Sequence, residues 1–229
     1  MANVTVVGYA RTTGGDQIPL RVDSTAEGTE FSLTTDTNLT VTAQDIGTYK
    51  PGATITSLEV FAPNGISYCY VLRQGVILAW GSVNVTGINN KEIPLCAPVT
   101  LRPGDTVRVL PLTASARNAA LCAYTTSGVA RIFVGTPSGA GTTNLVDLQD
   151  SSNSIGDTLQ GQTIMKATFT IGGTQAQMPV SSGGCWIRNA SGQLAGAVPA
   201  TNPVKAEPCV SSVMIPIELN WNASVVTSA

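Results

Sequence analysis

The side chains that could carry catalysis are scarce in this sequence. Among its 229 residues there is no histidine, which removes the commonest general base and the commonest metal ligand of proteins. Ser-His-Asp and Cys-His catalysis, His-ligated zinc and haem are therefore excluded. The Gly-x-Ser-x-Gly and Ser-x-x-Lys motifs, which mark other serine nucleophiles, are also absent. This inventory predicts that the protein is not an enzyme and has no catalytic residues.

One acidic cluster could bind a cation. Asp147, Asp150, Asn153 and Asp157 lie within eleven residues, and oxygen ligands of this kind suit Ca²⁺. The spacing is not that of an EF-hand, and no terminal glutamate follows. A solvated loop is the favoured interpretation, with ion binding by Asp147, Asp150 and Asp157 left open. The Gly-rich segment 139–144 lacks the Gly-Lys of a phosphate-binding loop, so we predict no metal and no cofactor.

Aromatic and basic residues offer two further kinds of binding site. Trp80, Trp186 and Trp221 could stack on sugar rings. Trp80 lies in an apolar run and is predicted to be core, whereas Trp186 lies in a Gly/Ser-rich segment and is the best candidate for a surface aromatic in a loop. The net charge of −2 predicts no strong nucleic-acid binding. The arginines are scattered and predict a solvated or ion-paired face: Arg11, Arg21, Arg73, Arg102, Arg108, Arg117, Arg131 and Arg188.

The five cysteines are widely spaced and form no CxxC pair. Cys69, Cys96 and Cys122 lie among strand-forming residues, which favours buried free thiols over a disulfide framework. A single Cys185–Cys209 bridge is the alternative. The first residues lack the basic and apolar segments of a signal peptide, and no run of about 20 apolar residues exists. We therefore expect synthesis in a cytoplasm and no transmembrane segment.

Short β-branched and apolar runs separated by turn residues dominate the chain. About a dozen such runs, with turns at 14–15, 64–65 and 127–128, predict an all-β fold, an antiparallel β-sandwich of the jelly-roll type with little helix. Asn64-Gly65 is the strongest hairpin signal, and helical turns are expected only at 115–120 and 154–160. The predicted strands are 4–10, 17–22, 31–34, 39–42, 54–62, 66–73, 76–80, 83–88, 92–100, 106–109, 119–125, 129–134, 163–171 and 213–221.

Two segments interrupt this rhythm, 135–161 and 172–208, and both are predicted to be long loops. Charge also thins towards the C-terminus: 22 of the 26 charged residues lie in the first 166 positions. Charges are depleted at the cores of protein interfaces. We therefore predict a single jelly-roll domain over 1–229, in which 172–229 is a partly extended region that contacts other subunits. The run 213–217 contains Pro216 and is predicted to form an edge strand.

Three segments carry a resemblance to known proteins. The segment 101–109 (LRPGDTVRV) resembles the turn leading into a strand of many jelly-roll and sandwich proteins. The segments 6–11 (VVGYAR) and 18–23 (IPLRVD) resemble the start of virion structural proteins of phages and archaeal viruses. The Ser/Thr/Gly/Ala/Val-rich, charge-poor character of the chain is also similar to that of jelly-roll capsid proteins, including the single vertical jelly-roll type.

This resemblance implies a capsid (coat) protein that assembles in many copies into an icosahedral shell and is located in the virion. Its partners would be copies of itself in pseudo-hexameric or trimeric arrangements, with or without a second capsid protein, and contact with an internal membrane stays open. A basic N-terminal arm for genome binding is missing. The alternatives are a head decoration or tail-associated virion protein and a carbohydrate-binding β-sandwich module that uses Trp186 and loop carboxylates.

Overall fold

The chain forms two compact units, Met1–Pro111 and Leu112–Ala229, where the sequence analysis treats it as a single domain. The computed structural model describes 5–23, 31–35, 46–61, 66–84, 91–112, 119–135, 142–171, 184–189, 191, 193–199, 209–213, 217–218 and 223–228. Within these residues there are seventeen strands and two short helices. The prediction of an all-β, antiparallel fold with little helix is confirmed.

Unit 1 contains one helix and one eight-stranded antiparallel sheet. Its strands run in the order β6-β5-β8-β3-β2-β1-β4-β7 across the sheet. The elements are β1 (Thr5–Thr12), β2 (Gln17–Asp23), β3 (Phe31–Thr35), α1 (Ile46–Tyr49), β4 (Thr54–Phe61), β5 (Ile66–Arg73), β6 (Val76–Asn84), β7 (Lys91–Thr100) and β8 (Thr106–Leu112).

Unit 2 contains one helix and a nine-stranded sheet. Eight of its strands run in the order β14-β13-β17-β11-β10-β9-β12-β15, and β16 also pairs with β12. The elements are β9 (Ala119–Thr125), β10 (Ala130–Gly135), β11 (Thr142–Asp147), α2 (Ile155–Leu159), β12 (Thr163–Ile171), β13 (Gly184–Asn189), β14 (Leu194–Pro199), β15 (Cys209–Val213), β16 (Ile217–Glu218) and β17 (Ala223–Ser228).

The two strand orders are the same when the strands of each unit are counted along the chain. The first strand of each unit lies between the second and the fourth, and the fifth lies between the sixth and the last. The helix precedes the fourth strand in both units. The seventh strand of unit 1, β7, corresponds to β15 and β16 together. Both of these pair with β12, as β7 pairs with β4.

Each sheet rolls until its two end strands approach each other. In unit 1, β6 contacts β7, and the Trp80 N–H donates to Cys96 Sγ at 3.3 Å. Gly81 makes this approach possible, because a Cβ there would lie 2.4 Å from Ile93 Cγ2. In unit 2, β14 contacts β15 and β16.

A separate apolar core fills each unit. In unit 1 it includes Ile18, Ile55, Leu58 and Ile93, all fully buried, together with Ile46 from α1. The core of unit 2 is built from fully buried residues on its strands and α2, among them Leu121, Phe133, Ile155, Leu159 and Phe169.

The predicted glycine turns at 14–15 and 127–128 each join an antiparallel pair, β1 with β2 and β9 with β10. A further turn at 74–75 joins β5 with β6. The hairpin prediction at Asn64-Gly65 is wrong. The flanking strands β4 and β5 are not neighbours, because β4 pairs with β1 and β7 whereas β5 lies between β6 and β8. A turn signal fixes a change of chain direction, but the burial of apolar faces decides which strands pair.

The two predicted long loops contain regular structure. The segment 135–161 holds β11 and α2, and 172–208 holds the antiparallel pair β13–β14. These strands contain residues of low β-propensity, such as Gly196 in β14, so propensity alone does not predict them. The predicted helical turn at 154–160 is confirmed as α2, whereas the one at 115–120 is wrong where it is described, because Ala119 and Ala120 begin β9. The predicted strand 39–42 lies outside the described residues.

The region 172–229 supplies four strands of the sheet of unit 2 besides the short β16. Its buried Cys185 and Ile187 belong to the apolar core, so the described strands of this region are part of the folded unit. The predicted edge position at 213–217 agrees with β15, which ends the strand order and pairs with β12 through Val213 and Ala167. Residues 214–216 lie outside the described part of the chain.

Candidate functional site

The acidic cluster at 147–157 does not converge on a common point. Asp147 is buried at the end of β11, and its Oδ1 accepts from the Gln149 N–H at 2.7 Å. Asp150 accepts from the N–H and the hydroxyl of Ser152, at 3.0 and 2.6 Å. Across the residues that the structure describes, no group of three or more Cys, Asp and Glu is placed to hold a metal ion.

Asp157 has a structural task at the start of α2. It forms a capping box with Ser154: the Asp157 N–H donates to Ser154 Oγ at 3.3 Å, and the Ser154 N–H donates to Asp157 Oδ2 at 2.7 Å. This reciprocal pair satisfies amide groups that a helix start leaves without partners. Hydrogen bonds from Ser154 lower the pKa of Asp157, and those from Ser152 lower the pKa of Asp150.

Asp105 is a fully buried carboxylate in unit 1 that accepts three hydrogen bonds. Arg73, at the end of β5, donates two hydrogen bonds to this carboxylate, from Nε to Oδ1 at 2.7 Å and from Nη2 to Oδ2 at 2.6 Å. The Arg102 N–H donates to Asp105 Oδ2 at 2.8 Å, which confirms the predicted turn at 102–105. Hydrogen bonding to Asp105 raises the pKa of Arg73. A carboxylate held in this way fixes the turn before β8 and leaves little scope for chemistry.

A second arginine–aspartate pair, in unit 2, is looser. Arg131 Nε lies 3.9 Å from Asp147 Oδ2, and the Arg131 guanidinium also donates to the Gln149 side chain. Asp147 has 1% of its side chain exposed and Arg131 has 26%. These two pairs agree with the prediction that some of the scattered arginines are ion-paired. Arg117 lies outside the described residues.

The tryptophans do not form a sugar-binding platform that the structure describes. Trp80 is 2% exposed and belongs to the core, as predicted. The placement of Trp186 in a loop is wrong, because it lies within β13 between the buried Cys185 and Ile187. Trp221 and the segment 139–141 lie outside the described residues, whereas 142–144 begin β11. Alternation along a strand is the signal that could have placed Trp186 correctly.

Four cysteines are free thiols, and three of them, Cys69, Cys122 and Cys185, are buried. Burial raises the pKa of both Cys69 and Cys185, so these thiols are poor nucleophiles. The alternative of a Cys185–Cys209 bridge is not present. Cys185, in β13, is itself a free thiol.

The arrangement as a whole therefore consists of structural polar contacts: ion pairs that fix turns, a helix cap and buried thiols. In the described part of the chain, no helix has the length and apolar character needed to cross a membrane. Comparisons with protein-family models, with curated proteins and with solved structures found no match. The chain's own residues are thus the basis for any functional conclusion.

Proposed function

We propose that this chain is a non-enzymatic virion structural protein, a coat protein that assembles in many copies through contacts between copies of itself. The observation that carries the proposal is the uneven distribution of charge between the two units. Residues 1–111 contain sixteen charged side chains, whereas the 118 residues of unit 2 contain ten. A charge-poor surface is suited to contact with a neighbouring copy, because charges are depleted at interface cores.

Exposed apolar side chains in unit 2 give this proposal specific residues. Leu194 at the start of β14 is 57% exposed and Met165 in β12 is 39% exposed. In unit 1, Val76 next to the β5–β6 turn is 52% exposed and serves as the matched control. Single exposed apolar residues are common on protein surfaces. The proposal therefore depends on whether lysine at Leu194 and Met165 affects assembly differently from lysine at Val76.

The jelly-roll type and the icosahedral shell are the finer parts of the proposal. A jelly roll consists of eight strands in two Greek-key sheets, and the eight strand positions of each unit match that number. The meander β1–β2–β3 is a departure from the pattern, since a jelly roll pairs strands that are distant in the chain. The virion location and the many-copy partners come with the resemblance of 6–11 and 18–23, and no genome contact is proposed.

The test measures assembly and folding separately. Purified wild-type protein is examined by light scattering and negative-stain imaging, and thermal unfolding is followed by circular dichroism. We expect capsomers or closed particles from the wild type. The double variant Leu194→Lys, Met165→Lys should keep the melting temperature of the wild type but form only small species, whereas Val76→Lys should assemble normally.

Each other outcome points elsewhere. Wild-type protein that remains small under all assembly conditions contradicts a shell role. If it then binds to preformed virus heads, a decoration protein replaces the coat protein, and if it binds glycans, the carbohydrate-binding module does. Normal assembly of the double variant would remove Leu194 and Met165 from the contact.

A further inference from the structure

We infer that the chain is an internal duplication: units 1 and 2 are two diverged copies of one β module. The shared strand order is the first indication, since eight strand positions and one helix correspond along the whole chain. Strand order alone can arise twice, because short connections and right-handed twist restrict the number of topologies. The inference rests on irregular local features that recur at corresponding positions.

The turn after the first strand is the same in both units. The 12–16 turn and the 125–129 turn each contain a glycine at positive φ, Gly15 at 86° and Gly128 at 87°, and in both turns the threonine hydroxyl accepts an amide N–H. Four hydrogen bonds repeat. In unit 1 they run from Thr12 N–H to Asp16 O (3.0 Å), Gly15 N–H to Thr12 O (3.0 Å), Asp16 N–H to Thr12 Oγ1 (3.0 Å) and Thr13 N–H to Thr54 O (2.9 Å). In unit 2 the same four run from Thr125 N–H to Val129 O (2.9 Å), Gly128 N–H to Thr125 O (3.1 Å), Val129 N–H to Thr125 Oγ1 (3.0 Å) and Thr126 N–H to Thr163 O (2.9 Å).

The strand that pairs with this turn carries a bulge at the same place. Thr12 pairs with Ile55 and Arg11 with Ser57, so Thr56 is an extra residue on β4. In unit 2, the pairing of β9 with β12 skips Met165 in the same way, two residues after the strand begins. A second bulge recurs in the next hairpin, where the extra residues are Leu78 on β6 and Ala195 on β14. Bulges interrupt a ladder at one defined point, so their recurrence is specific.

The segment between helix and bulge repeats in sequence as well. Ile-Gly begins α1 and α2, at 46–47 and 155–156, and Gly-x-Thr-Ile follows at 52–55 and 161–164. Gly52 and Gly161 both have positive φ, at 81° and 76°. The four residues Ile46, Ile55, Ile155 and Ile164 that bracket these segments are all fully buried.

The buried thiols complete the correspondence. Val71 in β5 corresponds to Ile187 in β13, because each precedes the bulge of its hairpin. Two residues earlier lie Cys69 and Cys185, both 0% exposed. Each is followed by an aromatic residue, Tyr70 or Trp186. A cysteine, an aromatic and a β-branched residue thus occupy the same place in both copies.

The duplication has a consequence for the shell that depends on the proposed function. A shell made from this chain would contain two modules for every chain, with the charge-poor copy making the contacts. The duplication itself is tested on soluble protein by thermal unfolding. A failure to assemble would therefore contradict the coat function and leave the duplication standing.

The decisive position is Gly156. A duplication predicts that Gly156→Ala lowers the melting temperature, whereas unrelated units allow it to stay unchanged or rise. In unit 1, a Cβ at Gly47 would lie 1.7 Å from Arg102 O, so no side chain fits. If the units are copies, Gly156 is equally constrained, and Gly156→Ala should lower the melting temperature by more than about 4 °C. Thr158→Ala, in the same helix, is the control and should change it by less than about 2 °C. An unchanged or raised melting temperature for Gly156→Ala would overturn the duplication.

The two turns give a second test that does not depend on the helix. Gly14 and Ser127 correspond, and a Cβ at Gly14 meets only Thr12 Oγ1 at 3.7 Å. The exchange variant Gly14→Ser, Ser127→Gly should therefore fold with a melting temperature within about 2 °C of the wild type. Gly15→Ser and Gly128→Ser, at positive φ, should each lower it by similar amounts. A loss of folding in the exchange variant, or opposite effects of Gly15→Ser and Gly128→Ser, would contradict the duplication even if Gly156→Ala does not fold.

Discussion

Units 1 and 2 share a framework but hold it together with different side chains. The 12–16 turn of unit 1 carries an exposed ion pair between Asp16 and Lys50 at 2.7 Å. The 125–129 turn of unit 2 has instead a neutral network, in which the Ser127 hydroxyl bonds to Thr125 Oγ1 at 2.9 Å and donates to the Gln162 side chain. The backbone hydrogen bonds are the same in both turns. The fold therefore depends on the backbone pattern, and the polar side chains around it are free to change.

The buried carboxylates show the same contrast with larger consequences. Asp105 of unit 1 receives two hydrogen bonds from Arg73 and one from the backbone, whereas Asp147 of unit 2 lies 3.9 Å from Arg131. Two copies of one framework thus place a buried acid at different points, in the turn before β8 in unit 1 and at the end of β11 in unit 2.

Asp105→Ala should have the largest effect on stability. It removes three hydrogen bonds and leaves the Arg73 guanidinium without its carboxylate, so we expect a loss of about 3 kcal/mol. Asp147→Ala should lose about 1.5 kcal/mol, close to one hydrogen bond to a charged group. Urea unfolding measures both. Asp16→Ala, which removes an exposed pair, is the control and should cost less than about 1 kcal/mol. Equal losses for Asp105 and Asp147 would contradict the contrast between the units.

Gly81→Val should have the next largest effect. Gly81 pairs with Cys69 as Val198 pairs with Cys185, so the substitution gives unit 1 the residue that unit 2 uses. Because a Cβ at 81 would lie 2.4 Å from Ile93 Cγ2 and 3.0 Å from Pro94 O, we expect a loss of about 2 kcal/mol from overpacking. Adding Ile93→Ala should recover part of it if the clash is the cause. If urea unfolding shows no loss of stability for Gly81→Val, β6 and β7 can move apart to accommodate the larger side chain.

The corresponding thiols should behave alike in a labelling experiment. Cys69 and Cys185 are both buried with raised pKa, so neither should react with iodoacetamide at pH 8 until the protein unfolds. Cys96 is only partly buried and should be alkylated in the native protein. Mass spectrometry of peptides after a timed pulse measures all three. Native labelling of Cys185 but not Cys69 would mean that the second copy is more open at this place.

The smallest expected effect concerns the cap of α2. Hydrogen bonds from Ser154 lower the pKa of Asp157 in the folded state. Their contribution is therefore fully present above the unfolded pKa of about 3.9 and is lost as the pH falls through the lower folded value. Ser154→Ala should raise the pKa of Asp157 towards its ordinary value, as measured by NMR titration. Thr158→Ala should leave that pKa unchanged, and a similar rise in this variant would argue against the capping box as its cause.

Local features of this fold could be predicted from the sequence, and global ones could not. The glycine turns at 14–15 and 127–128 and the helical turn at 154–160 are predictable because the determining contacts lie within a few residues. Asn64-Gly65 misled because pairing between distant strands depends on which faces are buried. The duplication is hard to predict from the sequence because the copies are about 110 residues apart and share only short identities, Thr-Thr-x-Gly and Gly-x-Thr-Ile among them.

The candidate sites were less predictable than the fold. Asp147, Asp150 and Asp157 are close in sequence, but each accepts hydrogen bonds from its own turn or helix start. Trp186 was placed in a loop because its neighbours are small and polar, yet those neighbours belong to a strand that is paired on both sides. Proximity in sequence does not show where a carboxylate is directed, and composition does not show whether a segment is paired.

The prolines of β7 have a consequence for how this protein can meet its own copies. β7 ends the strand order of unit 1 and exposes Pro94 and Pro98, each of which has no N–H to offer an incoming strand. An unprotected sheet edge recruits further strands without limit, which is the route to fibres. With that route obstructed, crowding many copies together favours contacts between side chains, which end at a defined number of neighbours, over open-ended growth of a single ribbon.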